Sequence, residues 1–255
     1  MAHIVLDKAS VELAVYNSRG RALKHELFRR TVGGGVEDRR DSSVQVVKAL
    51  REVSFEARDG DRIGLIGGNG AGKTTLLRVL SRVYPPTGGR AEIDGRVSSL
   101  IDLSMGMDTD ATGYENIIMR GVMLGLHRKQ AEAITQDVEE FSELGEFLDL
   151  PIRTYSSGMM LRLAFAVSTA VQPDILILDE VIGVGDAAFA ERAELRMHNM
   201  ITNANIVFLA SHSDETIKRF CNRTLWMKSG SLMADGTPEE VLAAYHADAH
   251  HAAGE

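Results

Sequence analysis

A short apolar run, Ile63 to Ile66, leads straight into Gly67-Gly68-Asn69-Gly70-Ala71-Gly72-Lys73-Thr74, and the pattern then continues as a helix over Thr74 to Arg82. The eight residues satisfy the Walker A spacing GxxxxGK[ST], and they stand between a strand and a helix, the context in which that spacing has mechanical meaning. Glycines let successive backbone N–H groups curl inward and face phosphate oxygens. The helix that starts here adds the positive end of its dipole. Lys73 has the reach for β- and γ-phosphates, and the Thr74 hydroxyl is a ligand for Mg²⁺. From Val46 onward the pattern is that of an α/β fold, with this loop at its functional edge.

Two carboxylates supply a second half. Ile175 to Leu178 is a continuous apolar run of strand length, as expected for a sheet covered on both faces, and it ends in Asp179-Glu180. Placed 106 residues after the loop lysine, Asp179 is suited to hold the Mg²⁺ shell and Glu180 to orient and polarise an attacking water. Nucleoside kinases and GTPases share such a loop, so these two motifs leave the reaction open. Three further pieces narrow it. Tyr155-Ser156-Ser157-Gly158-Met159 stands 24 residues before Asp179 and opens a helix over Met160 to Val171. Ser211-His212 follows an apolar strand, Ile206 to Ala210, and Val184-Gly185-Asp186 comes just after the carboxylates.

Composition excludes several classes. Of 255 residues, 44% are hydrophobic and 25% charged, which rules out disorder as a whole-chain reading. The single cysteine, Cys221, cannot form an intrachain disulfide or a Cys-based zinc site, which favours a reducing compartment. Met1 to Asp7 meets a charge before a signal-peptide core can form, and no apolar stretch of about 18 residues exists to span a bilayer. The net charge of -8 argues against generic nucleic-acid binding. That charge is uneven: Arg19 to Arg30 carries five cations against one acid, a net +4, so the rest of the chain sums to -12. With Leu23, Leu27 and Phe28 on one side, the segment reads as a short basic amphipathic helix. Gly33-Gly34-Gly35 and the charged run Glu37 to Asp41 read as a loop. Residues 4–16 and Val53 to Ala57 read as strands. Ala131, Ile134, Val138, Phe141 and Leu144 give one apolar face to a helix-rich block from Tyr114 to Val171. The tail, His246 to Glu255, reads as a frayed end.

In this order and spacing the motifs resemble those of ATP-binding-cassette (ABC) ATPase subunits, across residues 1–245. Tyr155 to Met159 occupies the place of the family's LSGGQ signature, His212 that of its switch histidine, and Val184-Gly185-Asp186 that of its D-loop. The chain is most similar to the ATPases of exporters for O-antigen, teichoic acid or galactan. The residues that carry this are Val15-Tyr16-Asn17-Ser18-Arg19 with the basic segment after it, Tyr155 to Ala166, and Asp179 to Asp186. Met159 in place of the usual Gln, and Val181 where many members have Pro, are departures that the exporter subgroup shares.

The resemblance implies a P-loop NTPase of ABC ATPase fold: a mixed sheet core with an antiparallel β part and a helical subdomain. Its division is a RecA-like core of about 1–103 and 172–245, a helical subdomain of about 104–171, and a basic, gate-like insertion of about 17–45. It also implies a head-to-tail homodimer. Each ATP, with Mg²⁺, lies between Gly67, Gly68, Asn69, Gly70, Ala71, Gly72, Lys73, Thr74 and Thr75 of one subunit and Ser156, Ser157 and Gly158 of the other. Glu180 and His212 are the implied catalytic residues, Asp186 couples the two sites, and Tyr16 stacks on adenine. Thr74 and Asp179 are the implied metal ligands. Asp102, nearest to the position of the absent Q-loop glutamine, joins them through water. The implied partners are two copies of a transmembrane permease, a lipid-linked polysaccharide and the inner face of the membrane, without nucleic acid; the implied location is the cytoplasmic side. Some relatives append a carbohydrate-binding sandwich domain, and a chain that stops about ten residues after Tyr245 is expected to carry none.

Three other readings stand beside this one: the ATPase of another ABC transporter class, a non-transport ABC ATPase that remodels protein or nucleic acid, and a P-loop kinase. The second class often has two cassettes or a coiled-coil arm. The third leaves residues 155–159 and His212 without a purpose.

Overall fold

The computed structural model describes residues 1–16, 36–37, 44–101, 103, 106–179 and 187–253. In chain order its elements are β1 (His3–Tyr16), β2 (Val36–Glu37), β3 (Val44–Arg58), β4 (Arg62–Ile66), α1 (Lys73–Leu80), β5 (Gly88–Asp94), β6 (Val97–Ser99), α2 (Gly113–Met123), α3 (Arg128–Ala133) and α4 (Thr135–Ser142). Two short 3₁₀ turns follow, Gly145–Asp149 and Ile152–Thr154, then α5 (Ser157–Thr169), β7 (Ile175–Asp179), α6 (Ala187–Asn203), β8 (Ile206–Ala210), α7 (Asp214–Phe220), β9 (Arg223–Lys228), β10 (Ser231–Gly236) and α8 (Pro238–Ala253). The chain divides into two compact units, Met1–Asp94 with Ile206–Glu255, and Gly95–Asn205. The basic segment Arg19 to Arg30 lies outside the described residues, as do Asp102, Glu180 and Asp186.

The first unit holds an antiparallel sheet in the order β2-β3-β1-β5. Its long strands are not regular. Leu6 faces Phe55 and Ala9 faces Val53, so β1 carries one extra residue there, and Lys8 takes a positive φ of 48° to absorb it. The bulge inverts the inward parity: Ile4 and Leu6 are buried before it, Ala9 and Val11 after it. Val36 and Glu37 pair with Val47 and Val46, so the start of the charged run expected as loop is strand. The other part of this unit is a mixed sheet. β4 lies parallel between β8 and β9, and β10 turns back antiparallel onto β9. Ile63, Leu65 and Ile66 are all buried, as are Ile206 to Ala210, which is why both strands read as unbroken apolar runs. α7 packs close to β4 because Gly64 has no side chain: a Cβ there would lie 2.9 Å from Ile217.

Helix limits in this unit differ from the sequence expectation. α1 ends at Leu80 rather than Arg82, because Arg82 takes the left-handed conformation (φ 59°), which stops a helix. The tail is not frayed from His246: α8 runs to Ala253. Long-range contacts hold it. Tyr245 meets Trp226 edge-on with centroids 5.8 Å apart, Lys228 Nζ donates to Asp248 at 2.7 and 2.8 Å, and His246 Nε2 lies 2.7 Å from Asp214.

In the second unit β6 and β7 pair in parallel, and the helices surround a core that includes Ile117, Val138, Leu144, Leu148, Leu163 and Val167. Thr112 and Glu115 form a reciprocal capping box at the start of α2. In the same first turn, the fully buried Asn116 side chain reaches back, donating to the carbonyls of Asp108, Ala111 and Thr112 and accepting from the Asp108 N–H. The helix expected from Met160 starts three residues earlier, at Ser157, because Ser156 caps it: its Oγ accepts from the Met159 N–H at 3.2 Å. Among the described residues no helix is long and apolar enough to cross a membrane.

Candidate nucleotide site

The glycine-rich loop is held from behind by backbone. Gly67 has φ 146°, and a Cβ on it would lie 2.3 Å from the Met227 carbonyl oxygen of β9. Gly72 has φ 102°, and a Cβ would lie 2.8 Å from the Ala49 carbonyl oxygen of β3. Glycine is required at both positions by dihedral and by space. Gly68 is different. It has no positive φ, it is exposed, and a Cβ would meet nothing within 4 Å. Neither strain nor packing within the chain asks for glycine at 68; the space it leaves open is on the outer rim of the loop. A side chain here would crowd a molecule that approached the loop's amides.

Gly72 is the N-cap of α1, no side chain caps the helix, and its first turn contains no acid. The dipole end of an eight-residue helix therefore faces the loop with no carboxylate in its own first turn to offset it. Lys73 Nζ folds back over the loop and donates to the Gly67 carbonyl at 2.6 Å and the Gly68 carbonyl at 3.4 Å. Thr74 is exposed beside it. Leu76 and Leu77, one turn further on, are fully buried and anchor the helix.

His212 is brought to the same edge by strand register. Leu65 of β4 pairs with Ala210 of β8 in parallel, so the chain leaves both strands at one end, toward Gly67 on one side and His212 on the other. Ser211 is buried and its Oγ accepts from the Ser213 N–H at 3.1 Å, while Ser213 Oγ caps α7 by accepting from Thr216. His212 lies exposed between these two fixed serines. Tyr16 ends β1, where its backbone pairs with Val44.

Asp179 and the 155–158 segment belong to the second unit. Asp179 is half-buried at the C-terminal end of β7. Ser156 and Ser157 are exposed, and Gly158 lies in the first turn of α5, where its would-be Cβ meets only Ser156 Oγ at 3.9 Å. Met159, where most ABC subunits have glutamine, packs with Met160 against the helical core. Tyr155 anchors the loop from below. Its hydroxyl donates to the Phe147 carbonyl at 2.7 Å, and burial, aided by the Asp149 charge, pushes its pKa up to about 12. It remains a neutral donor throughout the physiological range.

Residues that the motifs do not mark complete the loop's support. Gly230 N–H donates to the Ala71 carbonyl, and Arg51 N–H donates to that of Gly230. Ser229 and Gly230, with φ 50° and 84°, form the two-residue connection between β9 and β10. The Ser-Gly pair is a hairpin signal, but nothing local says that this hairpin backs a loop some 160 residues earlier.

Each unit by itself offers an oxygen suited to a nucleotide-bound Mg²⁺. Such an ion takes one or two protein oxygens and otherwise phosphate and water. The Thr74 hydroxyl and the Asp179 carboxylate are oxygens of that kind. Among the described residues no three His, Cys, Asp or Glu side chains cluster as a metal site.

Comparison with known proteins shows the family. The family model described as ABC transporter matches residues 50–183. The O-antigen export system ATP-binding protein RfbE of Yersinia enterocolitica is 43% identical over 232 residues, covering 91% of this chain and 97% of that protein. The teichoic acids export ATP-binding protein TagH of Lactococcus lactis is 44% identical over 197 residues; the match covers 77% of this chain but 42% of that longer protein. Among solved structures, a dimeric ATP-binding cassette in a post-hydrolysis state with ADP and Pi superposes with a TM-score of 0.63 at 16% identity, covering 92% of this chain and 98% of that one. With the motif-bearing half of the chain matched by the family model, and a relative matched over nearly its whole length, the chain belongs to the ABC transporter family as one of its ATP-binding proteins.

Proposed function

We propose that this chain is the ATP-hydrolysing subunit of an exporter, working as a homodimer on the cytoplasmic face of the membrane. It drives two copies of a separate transmembrane permease to move a lipid-linked polysaccharide of O-antigen, teichoic acid or galactan type. The observation that carries the reading is the backbone-braced loop at Gly67 to Gly72, with Lys73 over it, in a chain that matches RfbE almost end to end.

The mechanism follows from the residues. Loop amides and the N-terminus of α1 receive the phosphates, and Gly68 leaves them room. The Lys73 ammonium exchanges its two loop carbonyls for β- and γ-phosphate oxygens, so its charge is already in place before substrate arrives. Thr74 and Asp179, with Asp102 as an outer partner, would hold Mg²⁺, which would neutralise charge on the phosphate oxygens. Glu180 orients the attacking water, and His212 contacts the γ-phosphate. Tyr16 stacks on adenine, and Asp186 couples the two sites. Ser156, Ser157 and Gly158 of a second copy close the pocket: the Ser156 Oγ accepts from the Met159 N–H, and its O–H stays available to donate to the γ-phosphate. Closure on ATP and reopening after hydrolysis supply the motion that the permease uses. The positive segment Arg19 to Arg30 attracts anionic headgroups.

Glu180→Gln tests this reading. The variant should bind ATP, stall hydrolysis and run as a nucleotide-bound dimer on size exclusion. Co-expression with the permease should bring the wild-type chain to the membrane fraction, and the lipid-linked glycan should raise its ATPase rate. Normal hydrolysis by Glu180→Gln, or a monomer with ATP present, would contradict it.

A further inference from the structure

Outside the nucleotide site, the second unit contains a concentrated set of cation–aromatic contacts. Phe141 of α4, Phe165 of α5 and Phe189 of α6 form a closed triangle, with ring centroids 5.4, 5.9 and 6.0 Å apart. Three guanidinium groups cover it. Arg162 lies 5.0 Å from the Phe189 centroid, Arg192 lies 5.7 Å from both Phe141 and Phe189, and Arg196 lies 4.3 Å from Phe141. Two carboxylates tie the guanidiniums back to α4. Glu143, which ends α4 in the left-handed conformation (φ 54°), reaches Arg192 at 2.7 Å and Arg162 at 3.7 Å; Asp137 pairs with Arg196. Arg196 Nε also donates to the Thr169 carbonyl at the end of α5, at 3.4 Å.

The spacing is systematic. Phe189, Arg192 and Arg196 lie on one face of α6, and Arg162, Phe165 and Thr169 on one face of α5. α5 starts at the Ser156 cap. α6 starts at Ala187, directly after Asp186 in sequence. A planar guanidinium stacked on an aromatic face and paired to a carboxylate resists sliding in two directions, which an aliphatic contact does not.

We propose that this cluster bolts α5 and α6 into one rigid element, so that the Ser156–Gly158 loop and α6 move together when ATP is bound or lost, with Arg192 as its central positioning residue. The proposal rests on the two-copy site described above. Arg192 touches no substrate in that site; it acts by keeping Ser156 in step with α6.

The test uses the full chain and ATP. In Arg192→Ala, binding of a fluorescent ATP analogue to the loop site should stay at the wild-type Kd. The kcat should fall about tenfold, and the Hill coefficient for ATP should drop toward 1. Arg192→Lys keeps a charge for Glu143 but loses the planar stack, and should lose about threefold in kcat. This variant serves the same comparison if Arg192→Ala does not fold. A cooperative wild type matched by variants of equal kcat and Hill coefficient would overturn the bolt alone. A wild type with a Hill coefficient of 1, together with no ATP-driven dimer of Glu180→Gln, would overturn the two-copy site and the bolt with it.

Discussion

The loop at Gly67–Gly72 and the segment at Ser156–Gly158 both contain glycine, yet they are built on opposite terms. The first is shaped by its own chain: two of its glycines are forced by left-handed or extended positive dihedrals and by carbonyls pressing from β3 and β9. The second is exposed, and its glycine is required neither by dihedral nor by any close neighbour. A glycine with no internal reason points to an external one. The contrast separates residues that make a site from residues that present one to another molecule.

The sharpest way to test the first loop is to remove its charge. Lys73→Ala should cost roughly 10²–10³ in ATPase rate, by analogy with the loss of one preorganised donor; a steady-state assay reads it. The comparison itself is tested by two alanine substitutions. Gly67→Ala should lower stability by on the order of 3 kcal/mol, through strain and the clash with the Met227 carbonyl, seen as a Tm lower by about 5–10 °C. Gly158→Ala, in a helix first turn, should leave Tm unchanged or slightly raised while ATP hydrolysis falls. Equal Tm losses in the two variants would erase the distinction. A smaller effect is expected from neutralising Arg19, Arg21 and Lys24 together: export by the assembled transporter should decline with ATP hydrolysis retained, read by following glycan at the cell surface. Smallest is Tyr155→Phe, which removes the hydrogen bond to Phe147 and should cost about 1 kcal/mol in thermal or denaturant unfolding. Because the Tyr155 pKa is raised, its contribution is complete below the ordinary phenol range and is lost as pH rises from there toward about 12, so the wild-type advantage over the variant should shrink across that window.

The strand, loop and helix around Lys73 were legible in the sequence because each step is local: an apolar run, glycine spacing, then a 3.6-residue pattern. The helix-rich block was legible for the same reason. What escaped was set by distance. The inward parity of β1 flips at Lys8, a residue with no turn signature, because β3 and Gly89 of β5 fit around the bulge. β5 has mostly exposed or half-buried residues and so carries no strong apolar alternation. The last turns of α8, from His246, contain the small and polar residues of a loose end, and contacts with Trp226, Lys228 and Asp214, earlier in the chain, hold this part of the helix. The start of α5 was legible in principle, since Ser156 is a good cap, but the adjacent Ser157 and Gly158 disguised it. The braces from Ala49, Met227 and Gly230 act through main-chain atoms, on which side-chain identity is silent.

That the Ser156 hydroxyl caps α5 while lying exposed has a practical corollary for protein engineering. Since one atom both starts a helix and faces outward, an alanine there confounds folding with recognition. Aspartate would separate them: it nucleates helices as well as serine does, but it confronts an incoming anion with like charge. Such a variant should keep its melting behaviour and refuse its ligand, a clean decoy subunit for poisoning mixed assemblies.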